Sequence, residues 1–139
     1  MGHTYADIEL ISVDDLVLHR HGFLPEDQIK RMRVTALVDS GAYMLVINDH
    51  IKQQLDLPVV EQRTVRLVDD SERRVEIVGP IEIRFENRRT TTEAVWLRGD
   101  VEPLLGAIQM EEMDVIIDPK QQRLIVNPQN PNIPLVYIK

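Results

Sequence analysis

The chain has 139 residues, 43% of them hydrophobic, a formal net charge of −7 and no cysteine. That length suits one packed domain over residues 1–139, and the apolar content is close to the globular norm, so disorder is not the default. The acidity argues against nucleic acid or an anionic membrane as partner, and the missing cysteine rules out disulfides, thiolate metal sites and cysteine nucleophiles.

Taken in order, Thr4 to Val13 alternates in part, with Ile8 and Leu10 on one side and Asp7, Glu9 and Ile11 on the other, and predicts an edge strand. Asp14-Asp15 followed by Leu16 to Gly22 fits either one short helical turn or a loop. Val34, Ala36, Leu37 and Val38 form a small, β-branched run that reads as a buried strand, broken by Asp39-Ser40-Gly41 before Met44 to Ile47 begins another. Asn48 offers a cap for a helix over Asp49 to Leu55, with Ile51 and Leu55 on one face and Pro58 as the stop. Val65 and Leu67, then Val75 and Ile77, alternate on either side of Asp69-Asp70-Ser71 and predict a β-hairpin.

Gly79-Pro80 is expected to turn the chain into a strand over Ile81 to Phe85, and Asn87-Arg88-Arg89 to turn it again into a strand from Thr90 to Leu97. Arg98-Gly99-Asp100 reads as a further turn. After Leu104-Leu105-Gly106, a short helix over Ile108 to Met113 precedes two strands, Asp114 to Asp118 and Arg123 to Val126. Pro128, Pro131 and Pro134 make the remainder an extended arm whose apolar end, Leu135 to Ile138, needs something to pack against. Many short strands, turn signals about every ten residues and one or two short helices describe a small, mainly β, barrel-like domain.

Asp39 places a carboxylate between two apolar runs, where a charge is costly unless it is hydrogen-bonded or shares a proton. By itself Asp-Ser-Gly is also a common turn. Around it, however, Ala36-Leu37-Val38-Asp39-Ser40-Gly41-Ala42, the later Leu104-Leu105-Gly106 and Ile116-Ile117-Asp118-Pro119 resemble the single-lobe, retroviral-type (retropepsin-like) aspartic proteases and their bacterial relatives, from about Arg33 to Pro128. The resemblance implies a small closed β-barrel with its core at about residues 31–128. It makes Asp39 the catalytic carboxylate, with Ser40, Gly41 and Ala42 supporting its loop and Leu104, Leu105 and Gly106 passing beneath. The hairpin becomes a flap whose tip, Asp69, Asp70 and Ser71, covers a bound peptide.

Water-mediated peptide hydrolysis needs two carboxyl groups sharing one proton, and this chain has a single Asp-Ser-Gly. The resemblance therefore implies a homodimer with an Asp39/Asp39 dyad, a peptide or protein substrate, and no metal or organic cofactor. The N-terminal strand at residues 4–13 and the arm at 129–139 are then expected at the dimer interface. Two other classes fit the same residues: a peptide-binding or dimerisation module that does not cleave, and a plain β-domain subunit with Asp39 exposed. His19 and His21 read as solvated surface, Asp69-Asp70 with Glu72 as a polar turn without calcium-loop spacing, and Trp96 as a packing residue. With no apolar run near the roughly 20 residues of a membrane span and no secretion-signal character in residues 1–7, a cytoplasmic protein is expected.

Overall fold

The computed structural model describes residues 3–138. Its elements are β1 (Thr4–Ser12), α1 (Val13–Arg20), β2 (Arg31–Val38), β3 (Leu45–Ile47), α2 (Asp49–Leu55), β4 (Val59–Arg66), β5 (Glu72–Phe85), β6 (Arg88–Trp96), β7 (Leu104–Leu105), α3 (Ala107–Met113), β8 (Val115–Asp118) and β9 (Arg123–Val126). Strand pairings run β5-β6-β3-β7-β2-β1, and β1 then pairs with β5 again, so these six strands form a continuous ring of hydrogen bonds. β4 hangs outside the ring on the first half of β5, and β9-β8 on the start of β1.

The ring encloses the main core, with Ile8, Leu10, Ala36, Leu45, Ile47, Ile81, Ile83 and Leu105 inaccessible to solvent. β1, expected as an edge strand outside the core, is instead paired with β2 on one side and with β5 and β9 on the other. Its break in alternation at Leu10-Ile11 marks the point where both faces become covered, and both side chains are fully buried. β5 is one strand of 14 residues, because Gly79-Pro80 makes a bulge in it and not the expected turn. Proline donates no ladder hydrogen bond and is tolerated where the register shifts. Before the bulge β5 pairs with β4 and, from Glu76 to Val78, also with β6; after it β5 lies between β6 and β1.

Ser12 starts α1 by accepting a hydrogen bond from Asp15 N at 3.3 Å, which turns the expected single turn or loop into a two-turn helix. The Asp15 carboxylate, buried in turn, accepts Lys30 N at 2.8 Å and lies 2.9 Å from Lys30 Nζ, pinning α1 to the entry of β2. Burial pushes the Asp15 carboxyl up, and the lysine's two hydrogen bonds and charge outweigh it, leaving it below its ordinary value. α2 forms as expected, with Asn48 Oδ1 accepting Ile51 N at 3.0 Å and Ile51 and Leu55 buried. It ends at Asp56 in the left-handed region, before Pro58 is reached.

The turn between β5 and β6 is Glu86-Asn87, so Arg88, expected in the turn, becomes a strand residue with a fully buried side chain. Its guanidinium donates to the Asn130 carbonyl and lies 3.9 Å from Asp114 Oδ2. Asp114, at the end of α3, also accepts Asn127 Nδ2, Asn130 Nδ2 and Leu135 N, each at 2.9 Å. One carboxylate thus fastens the C-terminal arm, which has no regular secondary structure and leaves Ile133, Tyr137 and Ile138 exposed. Among the described residues no helix is long and apolar enough to cross a membrane.

The hydrogen bonds from Leu135 N, Asn127 and Asn130, together with the Arg88 charge, hold the Asp114 carboxyl below its ordinary value. A carboxyl depressed on folding stabilises at pH above its unfolded value of about 3.9 and loses that contribution as pH falls through the folded one. Hydrogen exchange at the Leu135 amide, corrected for intrinsic rate, is expected to show steady protection from pH 7 to 5 and loss below about pH 3.9. Asp114→Asn, which tolerates the left-handed backbone, lowers that protection several-fold at every pH. An arm equally protected in the variant would show that Asp114 does not hold it.

Candidate active site

Asp39 leaves β2 where that strand lies parallel to β7, with Leu37 opposite Leu104 and Val38 opposite Leu105. Leu37 N donates to the Pro103 carbonyl at 2.9 Å and Asp39 N to the Leu105 carbonyl at 3.0 Å. On its other side β7 meets β3 antiparallel at Val46 opposite Leu104. The strands that enter and leave the Asp39 loop are therefore both bonded to the same two-residue strand.

Within the loop, Asp39 Oδ1 accepts Gly41 N at 2.9 Å and the Asp39 carbonyl accepts Ala42 N at 3.0 Å. The side-chain bond to the second residue on is the usual Asx turn. It orients the carboxylate, which is half-buried. A Cβ on residue 41 would stand 3.2 Å from Asp39 Oδ1, so a larger residue there would press on the carboxylate. Ala107 N donates to the Ala42 carbonyl at 2.7 Å, tying the loop to the start of α3. Gly106 lies directly under the loop, where a Cβ would meet Tyr43 C at 2.6 Å and Tyr43 O at 2.7 Å. The structure thus brings Asp39, Gly41, Ala42, Leu104, Leu105 and Gly106 together. Ser40 sits on the exposed crest of the loop, with no side-chain hydrogen bond among the described residues.

Beside the loop runs a groove of about 570 Å³, floored by Met44, Val46 and Leu104 and walled by the hairpin through Val65, Leu67 and Val75. The hairpin's inner face and the ring share a second small core, Val75, Ile77 and Val95 with Met44, Val46, Val65 and Leu97 against it. The expected covering residues, Asp69, Asp70 and Ser71, do not line this groove. They form the tip itself, closed by Leu67 N to Ser71 O at 2.8 Å and Asp70 N to Leu67 O at 3.0 Å. Asp69 Oδ1 accepts both the hydroxyl and the amide of Ser71, which holds its carboxyl below the ordinary value. Asp70 takes the left-handed backbone, φ 65°, that glycine usually fills. Beside them Val68 is fully exposed, an apolar tip residue that alternation had not singled out. The groove residues were legible as the inward set of the two alternating strands, but their meeting with Met44 and Leu104 was not.

Of the other candidates, His19 Nδ1 lies 2.9 Å from the Leu24 carbonyl and Trp96 packs as expected, between Lys52 and Arg98 at 4.7 and 4.1 Å from its ring centre. Its Nε1 donates to Asp49 at 2.8 Å, and Asp49 also accepts Gly99 N at 3.0 Å, fixing the Arg98-Gly99-Asp100 turn.

No family model matches the chain, and no curated protein matches it. Among solved structures it is similar to the retroviral protease-like domain of Ddi1 from Leishmania major, with a TM-score of 0.56 and 16% sequence identity, covering 92% of this chain and 90% of that one. At that identity the similarity is one of fold, and the chain is mainly β with three short helices in a retropepsin-like arrangement.

Because the Cβ contact at residue 106 would be with backbone, Gly106→Ala must displace the Asp39 loop. A loss of about 1–3 kcal/mol is expected in urea unfolding. An unchanged midpoint would show that the loop does not rest on Gly106.

Proposed function

We propose that the chain is an aspartic endopeptidase that works as a homodimer, each protomer contributing Asp39 to a shared dyad. The observation that carries the reading is the position of Asp39: half-buried, oriented by Gly41 N, and carried by the loop whose next residues, Gly41, Ala42 and Tyr43, line an apolar groove wide enough for peptide side chains. The retropepsin-like fold supports it, as does the wedge of Leu104, Leu105 and Gly106 beneath the loop. In this reading the ring of six strands is the small closed barrel of the domain spanning the chain.

One carboxylate cannot perform the reaction alone. In a dyad, the ionised partner takes a proton from water as the oxygen attacks the peptide carbonyl, and the protonated partner donates to that carbonyl oxygen. Two like charges so close cannot both ionise, which keeps one proton on the pair. In this reading Ser40, exposed at the crest, bonds to its counterpart across the two-fold axis, and the hairpin closes over the peptide and excludes water. The exposed arm residues Ile133 to Ile138 offer the partner an apolar strip, whereas β1 is already paired on both edges. No step requires a metal or an organic cofactor, and a cytoplasmic setting belongs to the same proposal.

A second reading keeps the groove and the dimer without hydrolysis. The tip favours it, since Asp69 and Ser71 bond to each other and Asp70 occupies a position where glycine would ease movement.

The two readings separate on one experiment. A diverse peptide library incubated at pH 4 to 7 should be cleaved by the wild type, with rates falling as pH rises and the dyad loses its proton. Asp39→Asn should stop cleavage and leave urea stability and the sedimentation coefficient of a dimer within error, and a statine-type inhibitor should block the wild type. Retained cleavage in the variant, or none by a folded wild-type dimer, would overturn the endopeptidase reading.

A further inference from the structure

The inner face of the hairpin carries one charge that no other side chain meets. The β4–β5 register sets Arg73 opposite Val65, on the face that continues through Val75 and Ile77 into the small core. Arg63 shares that face and bonds to Glu61 at 2.5 Å. On the opposite face Arg66 bonds to Glu72 at 3.0 Å, and further along Arg98 bonds to Glu76 at 2.6 Å. Among the described residues Arg73 has neither an ion pair nor a side-chain hydrogen bond. It nevertheless lines the groove beside the Asp39 loop, where among the described residues Arg66 and Arg73 are the only charged ones in an otherwise mostly apolar lining.

We propose that the groove selects peptides carrying Asp or Glu beside a large apolar residue, with the apolar side chain seated among Met44, Val46 and Leu104 and the acid paired with Arg73. The inference rests on the reading of the groove as a peptide site, and charge complementarity carries it. A guanidinium offers a fork of donors matched to a carboxylate, and the exposed Arg73 is free to offer it to a ligand in the groove. The chain's net charge of −7 opposes an acidic ligand at long range. Any preference for acid must therefore be local, and of the two arginines that line the groove Arg66 is already paired with Glu72, which leaves Arg73.

Arg74 supplies the control. It is adjacent in sequence and equally charged, has no ion pair among the described residues, and lies opposite Thr64 on the outer face. The test uses the full-length chain as Asp39→Asn, so that bound peptide is not consumed. Fluorescent decapeptides with central Leu or Phe carry Glu, Gln or Lys at each neighbouring position in turn, and anisotropy gives their affinities at pH 6. An acid preference of about fivefold over Gln is expected at the best position, the upper range for a partly exposed ion pair, and it should fade in 1 M salt. Arg73→Glu should remove that preference and favour Lys, while Arg74→Glu should leave it in place.

Equal affinities for Glu and Gln peptides in the parent would overturn the proposal. So would an equal loss in both charge-reversed proteins, which would reduce the effect to net charge. Acid-selective binding that depends on Arg73, in a protein whose wild type cleaves none of these peptides, would sustain this inference and overturn the endopeptidase reading alone. A folded dimer that binds none of them would overturn both.

Discussion

Everything at the site depends on a strand of two residues. Leu104 and Leu105 are wedged between β2 and β3, bonding the chain on its way into the Asp39 loop and on its way out. A loop that pairs with nothing would fray. This one is held from both flanks and from below by Gly106, whose missing side chain is the condition for the contact. The loop geometry is therefore set by pairing between segments far apart in sequence, with local turn preference only finishing it.

The acidic residues of this chain divide by how they are held. Asp15, Asp49 and Asp114 each accept several hydrogen bonds and face a nearby cation, and each is kept below the ordinary aspartate range. They act as fasteners for a helix, a turn and a terminal arm. Asp39 is different in kind. It accepts one amide, no cation pairs with it among the described residues, and part of it faces solvent. A carboxylate kept oriented but short of partners has hydrogen-bonding capacity left over.

Much of the fold was legible where a local signal and the tertiary structure agree. Asn48 caps α2 because its side chain reaches Ile51 N, and Ile51 and Leu55 fall on the buried side. The hairpin alternates because one of its faces is covered and the other is not. Where neighbours distant in sequence decide the outcome, local pattern misled. β1 resembles an edge strand because its outer face carries Asp7 and Glu9, yet both of its edges are paired. Arg88 resembles a turn residue, but the turn needs only Glu86 and Asn87, and the arm returning over α3 covers the guanidinium. At the site, the motif located Asp39 and Gly106, whereas the groove formed by Met44, Val46 and Leu104 under the hairpin came from packing that no short window contains.

The wedge of β7 also has a consequence in time. Translation delivers a chain from its N-terminus, and contacts between distant segments must wait until both exist. The Asp39 loop leaves the ribosome well ahead of Leu104, Leu105 and Gly106. β9, which reaches back to β1, comes later still. Until then the loop has no floor and the groove lacks one of its floor residues. The loop and its groove therefore take their final geometry only after the segment carrying Leu104 to Gly106 has joined them.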